Sequence, residues 1–330
     1  MIEFINVPKV DEWYNRKNTS LWKHLDLKKD RIDMRNFLKT AYKLAPEFNF
    51  RLKWLSTNSL DFNNLDREKG YLYFKEGPMP FHWFILTPDL YCSRGVYWHE
   101  DQEKSWEKLH TPILWDKWPI KDNIIEFFRN TKWDQKYPGS TEDVPDLNFD
   151  YVFWPGQGAH RLGNPEDKKA YRIDMFEWAI DNKIHLVYKF HLAEMAARFE
   201  DRKRIKYIID NYSKSPYIHL LRRGNLDKLV KNSIAVLSDH SHVAFQAMLH
   251  NKPVAHRRKI NTMGYVIPTG DTPEKMWENK KVINQETVMK YFSFYYDFLI
   301  DVKSPNFKDK LRTRFQRYQD KAPIEEFFLP

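Results

Sequence analysis

Apolar and polar positions divide the chain into two dissimilar stretches. From 150 to 256, short apolar runs alternate with amphipathic segments. The runs at 151–154, 184–190, 217–221, 234–237 and 254–256 have the length of buried strands. The segments between them, 168–182, 194–212, 226–231 and 242–251, carry apolar residues at helical spacing. In the first of these, Tyr171, Met175, Trp178 and Ala179 share one face. Strands alternating with helices of this length predict right-handed crossovers and a doubly wound parallel sheet.

The first 150 residues are irregular and rich in aromatics. Strands are predicted at 50–55, 71–74 and 81–86. Helices are predicted at 34–44, where Leu38, Ala41 and Leu44 recur at helical spacing, and at 123–130. Residues 137–148 collect Pro, Gly, Ser and acids and read as a linker. The tail carries a long aromatic helix, 285–300, and a basic segment, 308–321. This gives a first α/β domain over 1–148, a second over 149–283, and a C-terminal helical segment over 284–330 joining them.

Charge and cysteine count narrow the classes. Fifty-four Lys and Arg against 45 Asp and Glu leave a net charge of +9, which favours an anionic partner and also suits a plain soluble surface. No run of about 18 apolar residues is present, so no spanning helix is expected. Glu3 and Asp11 interrupt the stretch where a secretory signal would need an apolar core. The single cysteine, Cys92, excludes an internal disulfide and a Cys-based zinc site, and a reducing cytoplasm is the expected compartment. His240 and His242 lack the neighbours of a zinc centre, so no metal is expected.

In a doubly wound sheet, ligands bind beyond the carboxyl ends of the strands, so the residues after each strand are the candidates. After the first comes 155–163, which holds three of the chain's ten glycines together with Gln157, His160 and Arg161. Such a loop can approach phosphate or sugar hydroxyls closely, or it can be an ordinary turn. After the second, alternation brings Lys189 and His191 out on one side. After the fourth come Ser238, Asp239, His240, Ser241 and His242. They either cap the next helix or help its free amides to hold a phosphate. In the first half, His99, Glu100 and Asp101 are the candidate catalytic set, with a carboxylate as general base; a charged surface turn explains them equally well. Arg202, Lys203, Arg204 and Lys206, with Lys310, Arg312 and Arg314 of the tail, are candidate contacts to a polyanion.

Lys189-Phe190-His191 at a strand end, followed by Ser241-His-Val-Ala-Phe-Gln-Ala-Met-Leu-His-Asn-Lys-Pro-Val254, resembles the capsule-type Kdo transferases. The resemblance covers about residues 150–256 and implies a GT-B-like fold: two facing Rossmann-like domains with a cleft between them. It implies that Lys189, His191 and Ser241 line the phosphates of a nucleotide sugar and that Gln157, which matches a family glutamine after the first strand of that domain, helps to bind the donor, with no essential metal or other cofactor. Three positions depart from the family pattern: Leu192 stands for a proline, His242 for a hydroxyl residue and Asn251 for a glycine. The implied activity is glycosyl transfer to a hydroxyl acceptor. A weaker, compositional likeness to phage enzymes that glycosylate DNA bases favours hydroxymethylated bases in duplex DNA as acceptor, which places the protein in the host cytoplasm. A surface or capsular polysaccharide at the inner membrane face, or a sugar-phosphate-binding module without catalysis, are the alternatives.

Overall fold

A computed structural model describes residues 2–6, 40–41, 43–48, 50–52, 71–76, 83–88, 115–130, 143–144, 146–156, 173–191, 199–239, 241, 243–257, 266–320, 322 and 326. The chain is α/β. In chain order the described strands are β1 (Ile2–Asn6), β2 (Phe50–Leu52), β3 (Tyr71–Glu76), β4 (Trp83–Pro88), β5 (Val152–Pro155), β6 (Leu186–Lys189), β7 (Ile218–Leu221), β8 (Ala235–Ser238), β9 (Val254–His256) and β10 (Leu299–Asp301). The helices are α1 (Ile124–Asn130), α2 (Asp174–Asp181), α3 (Phe199–Tyr212), α4 (Leu226–Asn232), α5 (Val243–Leu249), α6 (Pro273–Asn279), α7 (Gln285–Phe298) and α8 (Phe307–Gln319).

Two compact units result, with boundaries at Ile124/Ile125 and inside α7 at Met289/Lys290. From Ile125 on, α1 lies in the second unit: the Arg129 guanidinium donates to the carbonyl of Leu249, the last residue of α5, at 2.6 and 3.0 Å.

The second unit holds a sheet in the order β7-β6-β5-β8-β9, parallel throughout. Its direction of winding changes between β5 and β8. One face, through Val152, Trp154, Leu186, Tyr188, Ile218 and Leu237, packs on Met175, Phe176, Trp178 and Ala179 of α2, Ile208 and Tyr212 of α3 and Met276 of α6. Because β5, β6 and β8 are covered on both faces, their residues other than Lys189 are buried regardless of parity, Val187 and Val236 included. α5 is buried at every position and correspondingly lacks a polar face.

Two helices of this unit end alike. Beyond α2, Lys183 adopts φ 54° while its N–H donates to Ile180 and that of Ile184 donates to Ala179. Beyond α5, Asn251 adopts φ 55° while its N–H donates to Met248 and that of Lys252 donates to Ala247. Both are Schellman caps, which need a left-handed residue. Asparagine tolerates that conformation better than most residues other than glycine, so Asn251 preserves the turn that a glycine would make.

The first unit holds a sheet in the order β10-β4-β3-β1-β2, in which β2, β1 and β3 run parallel and β4 and β10 antiparallel. Here the structure corrects a predicted element. The helix over 285–300 stops at Phe298, and Leu299, Ile300 and Asp301 pair with Ile85, Phe84 and Trp83 as β10. The apolar run continues unbroken, but edge pairing with β4 decides its last three residues. β1 was not predicted at all. Of the predicted helix 34–44, only Thr40, Ala41, Lys43 and Leu44 fall among the described residues.

Two side chains of α8 cap the carboxyl end of α7. Lys310 Nζ donates to the Tyr296 carbonyl at 3.1 Å, and Arg314 donates to that of Asp297 at 2.5 Å. The Asp297 carboxylate accepts from Trp118 Nε1 at 2.9 Å and pairs with Lys121 at 3.0 Å. Cations at the negative end of a helix dipole are favourable, and these satisfy carbonyls that α7 cannot.

Candidate functional site

The carboxyl edge of the second unit's sheet is level. Leu221 pairs with Lys189 and Lys189 with Pro155, while Ser238 pairs with His256. The register Val152 to Ala235 and Phe153 to Val236 continues so that Pro155 stands level with Ser238. Five residues, Leu221, Lys189, Pro155, Ser238 and His256, therefore form one row across the sheet with their side chains on one face. Lys189 and Ser238 flank β5 at two strand spacings, about 10 Å between Cα atoms. β5 and β8 bracket the switch in strand order, where open α/β sheets place ligands.

Backbone bonds fix this edge. Gly156 N–H donates to Lys189 C=O at 2.8 Å, Phe190 N–H to Leu221 C=O at 2.9 Å, and Arg257 N–H to Ser238 C=O at 2.8 Å. Lys189 and His191 are half-buried. The turn after β8 is closed by side chains: Ser238 Oγ accepts from Ser241 N–H at 2.8 Å, and Ser241 Oγ accepts from Val243 N–H at 3.3 Å. Ser238 is fully buried and serves the turn, whereas the half-buried Ser241 accepts one bond and retains an O–H proton to donate.

Beneath the row lies an ion network that the sequence did not suggest. Arg257 holds Asp239 through Nε at 2.8 Å and Asp174, the first residue of α2, through two nitrogens at 2.5 and 3.0 Å. Its side chain is 4% exposed. Burial opposes the charge, but the hydrogen bonds that Arg257 donates to Asp174 and the field of Asp239 outweigh it, so the guanidinium pKa is raised. Arg257 therefore serves as a strut between β8, β9 and α2. His256 beside it is fully buried, and burial pushes its pKa down to about 4, against the opposing influence of the Ser241 backbone and Asp239. It is a neutral imidazole at physiological pH. In the sequence, Arg257 sits in the basic run 256–259 and resembles a solvated charge; only its place at the end of a buried strand hinted otherwise.

The other expected residues are distributed as follows. His99, Glu100, Asp101, Gln157, Arg161, His240 and His242 lie outside the described residues. Of the polyanion candidates, Lys203 and Lys206 are exposed on α3, Lys206 pairing with Asp210, and Arg312 is exposed with Glu47 at 3.2 Å. Arg202 lies in α3. Three of these side chains bond inward. Arg204 is 3% exposed and turns inward, its guanidinium donating to the Tyr188 hydroxyl at 3.4 Å. Arg314 is 1% exposed, and the half-buried Lys310 joins it in capping α7. In each, a long side chain satisfies an interior acceptor instead of reaching solvent.

No protein-family model matches the chain, and no curated protein matches it in sequence. Three solved structures to which it is similar are a UDP-GlcNAc 2-epimerase and two Kdo transferases. The epimerase, from Methanocaldococcus jannaschii in complex with UDP-GlcNAc and UDP, is 18% identical over 56% of this chain, with a TM-score of 0.32. The chain spans 50% of that epimerase's length. The KpsC β-Kdo 2,4 transferase of Thermosulfurimonas dismutans is 14% identical over 78% of this chain and 87% of its own, with a TM-score of 0.41. The β-Kdo 2,7 transferase of the same organism is 13% identical over 88% and 89%, with a TM-score of 0.42. All three are partial likenesses.

Proposed function

We propose that the second unit binds a nucleotide sugar across the carboxyl edge between β6 and β8, and that the protein transfers its sugar to a hydroxyl acceptor. The observation that carries this reading is the row Lys189, Pro155, Ser238 at the switch in strand order. His191 follows the β6 end of that row and Ser241 the β8 end. Cleaving a sugar from its nucleotide leaves a nucleoside phosphate, so negative charge grows on the leaving group in the transition state. Preorganised cations and donors stabilise such charge best in a partly desolvated site. Lys189 supplies a cation, His191 an N–H donor and Ser241 a hydroxyl proton, while the fully buried Ser238 holds the turn that carries Ser241. The strut Asp174–Arg257–Asp239 keeps the β8 turn in place.

The acceptor we would test first is hydroxymethylated duplex DNA, with a surface polysaccharide as the rival. Lys203, Lys206 and Arg312 remain on the surface for a polyanion; Arg204 and Arg314 do not. A screen of nucleotide sugars for hydrolysis and transfer, run with hydroxymethylated duplex DNA and with an oligosaccharide, tests both parts. Lys189→Ala, His191→Ala and Ser241→Ala are each expected to lower transfer about a hundredfold, the usual cost of one transition-state donor. Near-normal turnover in the Lys189 and His191 variants overturns the donor site. Transfer to the oligosaccharide alone overturns DNA as acceptor.

A further inference from the structure

We propose that His185 and His219 form a two-histidine site for a divalent cation of the Ni2+, Cu2+ and Zn2+ class, at the amino edge of the second unit's sheet. This is the opposite end of the strands from the proposed nucleotide-sugar site, and it stands independently of that reading.

His185 immediately precedes β6, and His219 is the second residue of β7. The register places Val187 opposite His219, so the two histidines are diagonal neighbours on one face of adjacent parallel strands. Diagonal neighbours lie about 7–8 Å apart at the backbone, within reach of large side chains. The side chains close that distance: His185 Nδ1 and His219 Nε2 are 3.0 Å apart. Both rings rest on Phe149, with centroids 4.4 Å from it and planes inclined at 28° and 27°. Their own centroids are 5.2 Å apart, which places both on the same side of that ring. Phe149 is thus a platform that fixes both imidazoles before any ligand arrives. Both histidines are half-buried, so the rim of the pair reaches water.

Two imidazole nitrogens bound to one cation at about 2.1 Å stand about 3 Å apart at the ~90° angle of an octahedral site and about 3.4 Å apart at the tetrahedral angle of zinc. The empty pair, bridged by one N–H···N bond at 3.0 Å, has the first of these spacings and lies close to the second. On metal binding the donor ring carries its proton on its far nitrogen instead, so both lone pairs meet the cation and no net proton is released. Imidazole nitrogen selects borderline metals over Mg2+ and Ca2+. Among the described residues no group of three ligands is present, so water completes the coordination. A cation here ties the edge strand β7 to β6.

Calorimetric titration of the full chain with Ni2+ and with Zn2+ tests the site, with Mg2+ for comparison. The expected result is one 1:1 event with Ni2+ and Zn2+ and none with Mg2+. That event weakens by about tenfold or more in His185→Ala and in His219→Ala, and it persists in His250→Ala. The metals should also raise the melting temperature of the parent chain but not of the two variants. If the alanine variants fail to fold, His185→Asn and His219→Gln replace them. Binding that survives in both variants, or no binding by the parent chain, overturns the proposal and leaves the pair as an N–H···N bond between strands.

Discussion

The two sheets of this protein have five strands each and were built by different means. That of the second unit comes from one continuous stretch, 152–256, with all its strands parallel. That of the first unit gathers residues 2–6, 50–52, 71–76 and 83–88 and closes with 299–301 from near the other end of the chain. Consequently the second unit places its charges by local rules, with strand ends feeding turns at one edge. The first unit depends on pairings that no local pattern announces. The same contrast governs polar burial: Arg257 is locked between two carboxylates, whereas Arg314 is locked to a helix-end carbonyl.

The largest expected effect breaks the contrast at Arg257. Arg257→Met leaves Asp174 and Asp239 facing each other at a buried site and should cost about 3–5 kcal/mol. Arg312→Ala, which removes the exposed pair with Glu47 in the first unit, should cost less than about 0.5 kcal/mol. Urea unfolding measures both; equal costs would contradict the account.

The next effect is with pH, and it separates the units. His256 has a folded pKa of about 4 against an ordinary 6.5. Between those values the unfolded chain binds the extra proton, so stability falls as pH drops from 6.5 to 4. The loss approaches about 3 kcal/mol, and His256→Gln should flatten that limb of a stability–pH curve. Lys310 is pushed down to about 7, chiefly by burial and then by Arg314. Between 7 and its ordinary 10.5 the unfolded chain again holds more protons, so stability rises with pH across that window. Lys310→Met should remove the rise. A stability that still rises between pH 7 and 10 in Lys310→Met would contradict this assignment.

The smallest effects are at the two Schellman caps. Lys183→Gly relieves a side chain from left-handed backbone and should raise stability by about 0.5–1 kcal/mol. Asn251→Gly should change it by only a few tenths. Thermal melts of the pair test whether the caps differ as their residues imply.

Legibility followed the same divide. The strands of 150–256 were readable to within two residues because buried parallel strands are short apolar runs bounded by polar turns. β10 was not, because Leu299–Asp301 continues the apolar face of α7 and becomes strand only through β4. Lys189, His191, Ser238 and Ser241 could be placed at one edge from spacing alone. Arg257 could not, since its partners stand 18 and 83 residues away and its neighbours are basic. Arg204 and Arg314 were hidden likewise: a charge run shows no sign of which member turns inward.

The central claim is that the carboxyl edge of the parallel sheet is the nucleotide-sugar site. Amide hydrogen exchange, measured with and without the nucleotide sugar that the chain turns over, tests it most directly. The account predicts slowed exchange at Gly156, Phe190, His191, Ser241 and Val243, with the strand interiors unchanged. Turnover without protection at these amides, or protection confined to other segments, would contradict it.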